Sequence, residues 1–101
     1  MKYFDDIFGR KIRLTEEREA HIKSSHPELS NQLRKIKETL LEPHQIVRSI
    51  SDENVQLYYR LFSKTPVGTK YLCVVVKGIK DDYFILTVYF TDTIKRGELL
   101  W

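Results

Sequence analysis

Cysteine occurs once in these 101 residues, proline three times and glycine four times. A single thiol, Cys73, excludes an intramolecular disulfide and a zinc cage built of cysteines. It sits within Tyr71-Leu72-Cys73-Val74-Val75-Val76, an apolar run of strand character in which a thiol serves as a small hydrophobe. The scarcity of glycine and proline leaves no linker or low-complexity segment, and no internal repeat is present. No apolar run approaches the roughly 18 residues of a membrane span. Met1-Lys2-Tyr3-Phe4-Asp5-Asp6 carries acids where a signal peptide carries its apolar stretch. A cytoplasmic protein with no membrane partner is therefore expected. Neither sign of charge dominates: 17 Lys and Arg stand against 14 Asp and Glu, a net +3. That mild cationic bias is compatible with nucleic acid without demanding it.

The length suits one domain, residues 1–101, with a single core. Lys11 to Leu14 is a short strand candidate. Thr15 is placed to cap a first helix running to about Ser25, with Glu16 and Glu17 complementing its positive end. Leu29, Leu33, Ile36 and Leu40 follow one stripe at helical spacing, so a second helix is expected from Pro27 until Pro43 stops it. Everything after Pro43 reads as strand: Gln45 to Ile50, Val55 to Phe62, Lys70 to Lys77 and Tyr83 to Thr91, separated by turn residues. The predicted fold class is α+β. Two N-terminal helices pack on one face of a four-stranded antiparallel meander, or a five-stranded one with Lys11–Leu14 joined at its edge.

The last strand is the most informative. Phe84, Leu86, Val88 and Phe90 alternate with Tyr83, Ile85, Thr87, Tyr89 and Thr91, and period-two alternation assigns the two sets to opposite sheet faces. On this pattern the helix-covered face carries Val55, Leu57, Leu61, Leu72, Val74, Val76, Leu86, Val88 and Phe90. The open face carries Tyr58, Arg60, Phe62, Tyr71, Val75, Lys77, Thr87, Tyr89 and Thr91. Aromatic, hydroxyl and cationic groups on one exposed face mark a contact surface. Arg60, flanked by Tyr58 and Phe62, has the planar donors that suit a phosphate. The histidines His21 and His26 are five residues apart, about 140° around an ideal helix, so they do not form a one-face metal pair. No HExxH or other metal spacing occurs, and neither metal nor cofactor is expected. His44, beside Pro43, reads as a loop residue. Leu99-Leu100-Trp101 suits the sealing of a core edge or a dimer contact.

The run of His21 and His26-Pro27-Glu28-Leu29, then Leu57-Tyr58-Tyr59-Arg60, then Lys70 to Lys77, then Thr87-Val88-Tyr89-Phe90-Thr91-Asp92 resembles small microbial proteins of the barnase–EndoU–colicin–RelE group. These are metal-independent ribonucleases with helices followed by an antiparallel sheet, and the resemblance spans roughly Ile12 to Trp101 in element order. It implies a helix-borne His21 or His26, the sheet-borne cations Arg60 and Lys77, and a later-strand Thr87 or Tyr89 as the working groups. Tyr58 or Tyr89 would stack on an unpaired base. It further implies RNA as substrate and, for a toxin or phage-related effector, an antitoxin protein as partner. Two other functions follow from the open face alone: a non-catalytic binding module for a protein or nucleic acid, and a homodimer that buries the face.

Overall fold

The computed structural model describes all 101 residues. The chain begins with a hairpin, β1 (Lys2–Asp5) and β2 (Lys11–Leu14), in which Phe4 lies opposite Ile12. Its turn is organised by Asp6, whose Oδ1 accepts the backbone N–H groups of Phe8 at 3.0 Å and Arg10 at 2.8 Å. Thr15 then caps α1 (Glu16–Ser25): its backbone is extended and its hydroxyl accepts the Arg18 N–H at 3.1 Å. A 3-10 turn, Pro27–Leu29, precedes α2 (Leu33–Leu41). The remaining strands are β3 (Gln45–Arg48), β4 (Val55–Phe62), β5 (Lys70–Ile79), β6 (Asp82–Thr91) and β7 (Glu98–Leu99). No helix is long and apolar enough to cross a membrane.

The architecture is α+β, but the sheet corrects the expected meander. All seven strands join one mixed sheet in the order β1-β2-β6-β5-β4-β3-β7. The run from β3 to β6 is an antiparallel meander, as the turn signals predict. The two helices are not N-terminal: a strand pair precedes them, and β2 lies parallel to β6 through Ile12↔Tyr83 and Arg13↔Phe84. Four-residue β1 is largely exposed and two-residue β7 fully so, and strands of that kind leave no alternation for a sequence pattern to register. The second helix also starts later than its stripe predicts. Asn31 takes a left-handed φ of 64°, which asparagine tolerates, and so separates Leu29 from the rest. Leu29, Ile36 and Leu40 still reach the same core.

Two layers of apolar contact form on opposite sides of the sheet. On the helix side Ile12, Leu14, Ile22, Leu29, Ile36 and Leu40 close over Ile46, Tyr58, Leu72, Val74, Val76, Ile85 and Val88. On the other side Val47, Val55, Leu57, Tyr59, Cys73 and Val75 form a smaller cluster, with Tyr71, Leu86, Tyr89 and Ile94 against it. This reverses the expected faces of β4: Tyr58 points to the helices, whereas Val55 and Leu57 belong to the open side. The physical reason is polar. Tyr58 is fully buried, and its hydroxyl donates to Asp6 Oδ2 at 2.5 Å while accepting Arg10 Nη2 at 2.6 Å. Along Leu57-Tyr58-Tyr59 every side chain is large and apolar enough to bury, so periodicity could not choose between faces, and the hydroxyl's partners decide. A bulge corrects β6 as well. Val75 pairs with Thr87 but Val76 with Ile85, so Leu86 is the unpaired residue and Ile85, not Leu86, enters the helix-side core.

Asp6 is the most demanding polar group of this core. Its side chain is wholly buried, and its two oxygens take four donors: two backbone N–H groups, Arg10 Nε at 2.9 Å and the Tyr58 hydroxyl. Removing it leaves Arg10 Nε, the Tyr58 hydroxyl and two backbone N–H groups without their acceptor. Asp6→Ala is expected to cost about 3 kcal/mol or more in urea unfolding. Tyr58→Phe, which leaves the Asp6–Arg10 pair and the turn intact, is expected to cost about 1 kcal/mol. Equal costs would show that the carboxylate does not organise this end of the molecule.

Candidate functional site

The face of the sheet without helices is partly covered by the C-terminal strap that follows β6. Thr93 N–H returns to Thr91 Oγ1 at 3.2 Å, Lys95 N–H donates to the Tyr59 hydroxyl at 3.1 Å, and β7 then pairs with β3. Glu98 meets Arg48 at 2.8 Å, and Leu100 N–H donates to Ile46 O at 2.8 Å. Gly97 lets the strap lie this close: a Cβ there would collide with the Arg48 carbonyl and the Val47 side chain. The strap and the β3–β4 turn enclose a groove of about 550 Å³. Val55, Leu57 and Val75 form its floor, Ser49 to Asp52 one wall, and Thr87 and Tyr89 the β6 side. Lys95 and Arg96 stand on the strap with no carboxylate paired to either.

The groove has an apolar floor, hydroxyls from Ser49, Ser51, Thr87 and Tyr89, and two free cations. Its single acid is already engaged. Asp52 accepts the Asn54 backbone N–H at 2.9 Å and meets Lys77 Nζ at 3.0 Å, and these two, in that order, hold its carboxyl below the usual carboxylate range. Tyr89 behaves oppositely. Burial, reinforced by neighbouring Cys73 and Tyr59, raises its phenol far above its ordinary value, so it stays protonated at any working pH. Burial likewise pushes Tyr59 up to about 12 and Cys73 up to about 11. Cys73 beneath the groove is thus a neutral thiol, not a nucleophile.

The residues expected to work together separate into distinct places. Thr87 and Tyr89 line the groove. His26, at the joint between α1 and the 3-10 turn, brings its ring to 6.5 Å from that of Tyr89, tilted by 35°. Its Nδ1 is 3.6 Å from Glu28 Oε2, and Nε2 makes no hydrogen bond within the protein. His21 is exposed on α1 without a hydrogen-bonding partner. Lys77 borders the groove but is paired with Asp52. Three expected members of the open face, Tyr58, Arg60 and Phe62, lie on its reverse, Phe62 packing against the helix-side core. Tyr58 is in the helix-side core, and Arg60, which shares its face, donates from Nη1 to Glu42 O at 2.6 Å at the end of α2. No three His, Cys, Asp or Glu side chains converge as a metal cluster. Phe8 and Trp101 meet edge to face at 6.1 Å, both half exposed, so the terminal tryptophan caps an edge of the β1–β2 turn.

Sequence reasoning missed Lys95 and Arg96, because a strap held by single hydrogen bonds has no periodicity. The one available signal is local: two adjacent cations followed by Gly97, a residue suited to close approach of backbone. Gly97→Ala is expected to lift the strap from β3. Hydrogen exchange should then show the Leu100 amide losing most of its protection while that of Val74, deep in β5, persists. Unchanged Leu100 protection would mean that β3 yields to the added methyl.

No protein-family model, curated protein or solved structure matches this chain.

Proposed function

We propose that this protein is a metal-independent endoribonuclease whose working groups are His26, beside Tyr89, and the groove residues Thr87, Tyr89, Lys95 and Arg96. The observation that carries this reading is the His26 imidazole beside Tyr89, with Glu28 at its Nδ1 and Nε2 left without a partner. Glu28 places negative charge beside Nδ1, and Nε2 is left open to accept a proton.

In this reading Nε2 of His26 takes the proton of a ribose 2′-hydroxyl. The freed oxygen attacks the adjacent phosphorus, the bond to the 5′ oxygen of the next nucleotide breaks, and a solvent water protonates that leaving oxygen. Negative charge that grows on the non-bridging oxygens meets Lys95 and Arg96, which have no protein carboxylate to compete for them. Tyr89, held as a phenol, supplies a fixed donor and a ring surface for a base rather than a second proton acceptor. The apolar floor of Val55, Leu57 and Val75 accommodates an unstacked base. The products are a 2′,3′-cyclic phosphate and a 5′-hydroxyl.

Labelled single-stranded RNAs incubated in EDTA with each folded protein test the proposal. Wild type is expected to cleave and His26→Ala to lose about a hundredfold or more. His21→Ala, outside the groove, should stay within about threefold of wild type. A cyclic-phosphate terminus, read by mass, would identify the chemistry. Intact RNA from folded wild type would end the nuclease reading and leave the groove as a binding surface for RNA without turnover.

A further inference from the structure

Arg60, His44 and Lys35 form a second cationic cluster on the helix side of the sheet, away from the groove. His44 Nδ1 lies 3.0 Å from the Leu61 backbone N–H, which can only donate, so Nδ1 carries the lone pair. The ring proton of the neutral imidazole is therefore on Nε2. That atom is 3.4 Å from Arg60 Nη1, itself a permanent donor. Two donors thus face one another with no acceptor between them. Arg60 satisfies Glu42 O through Nη1, but its Nη2 has no partner, and its Nε is shielded from solvent and also unpartnered. Lys35 Nζ and the Arg60 guanidinium flank the same Phe62 ring, at 5.7 and 5.8 Å from its centroid. None of the three cationic or polar heads takes part in an ion pair.

We infer that Arg60, His44 and Lys35 make a binding site for a phosphate group. An acceptor with several oxygens would satisfy donors this close at once. A carboxylate would be satisfied in one plane by the guanidinium fork alone. An imidazole N–H, a guanidinium and an ammonium, carried by β4, its preceding loop and α2, approach from different directions. A tetrahedral oxyanion offers oxygens to all of them. Both cationic heads lie beside the Phe62 ring, which positions them without neutralising them. The site lies on the opposite side of the sheet from the groove, so it stands whether or not the groove cleaves RNA.

The test is a titration of isotopically labelled wild type with inorganic phosphate at constant ionic strength, observing the His44 ring nitrogens and Arg60 Nε by NMR. A saturable shift of both is expected, and it should persist in Lys95→Ala, which removes a groove cation and leaves this side of the sheet intact. Lys35→Ala, a change on the surface of α2, should weaken the site about tenfold, and Arg60→Gln, which keeps an amide donor toward Glu42 O, should abolish saturation. A short DNA oligonucleotide with and without a 5′-phosphate then separates the sources. Saturation by the phosphorylated form alone supports a terminal monoester, and saturation by both supports a backbone diester. A shift that never saturates, or equal affinity in wild type, Lys35→Ala and Arg60→Gln, would overturn the assignment.

Discussion

A buried carboxylate that needs four donors decides how this sheet faces its helices. Asp6 collects two of them from its own turn and a third from Arg10, and only Tyr58 supplies the fourth from a distant strand. An ionised group taken out of water is tolerated only when its lone pairs are filled, so the alternative face for Tyr58 would leave the carboxylate incomplete. Once Tyr58 points to the helices, alternation sends Leu57 and Tyr59 to the other side and Arg60 to the helix side. The hydroxyl of Tyr59 is then where the strap needs an acceptor for Lys95 N–H. The apolar floor of the groove, the anchoring of its cationic wall and the separation of Arg60 from both follow from one polar contact near the N-terminus.

The groove also depends on an irregularity. On the strand between Asp82 and Thr91, a strict alternation would hold Ile85 and Val88 on opposite faces. The bulge at Leu86 lets both enter the helix-side core and still leaves Thr87 and Tyr89 toward the strap. Without the additional residue, either the core would lose a branched side chain or the groove would lose its hydroxyls.

This division between regular and irregular structure explains what could be read from the residues alone. The Thr15 cap, the apolar stripe of α2 and the four long strands announce themselves through spacing and turn chemistry. Thr87 and Tyr89 were legible as open-face residues because Val88 and Phe90 alternate with them beyond the bulge. The face of β4 was not, since Leu57, Tyr58 and Tyr59 are all fit for burial and the deciding partner, Asp6, is 52 residues away from Tyr58. β1, β7 and the strap were not legible either. They are held by single pairings and by a glycine whose value is the absence of a side chain, and neither leaves a pattern.

The place of His26 rests on how briefly β2 accompanies β6. Only Ile12 and Arg13 pair with it before the chain leaves the sheet at Leu14 and turns into α1. Had β2 continued, it would have occupied the edge of β6 beside Val88 and Tyr89. Instead α1 packs along β6 and the 3-10 turn brings His26 to the Tyr89 ring. Pro27 makes that arrival abrupt, because the residue before a proline is driven out of helical geometry, and His26 has φ −134° and ψ 76°. A histidine one turn earlier, such as His21, remains on the regular helix and points to solvent. The chain's departure from regular structure, first at the sheet edge and then at the helix end, is what gives one of two similar histidines an aromatic neighbour.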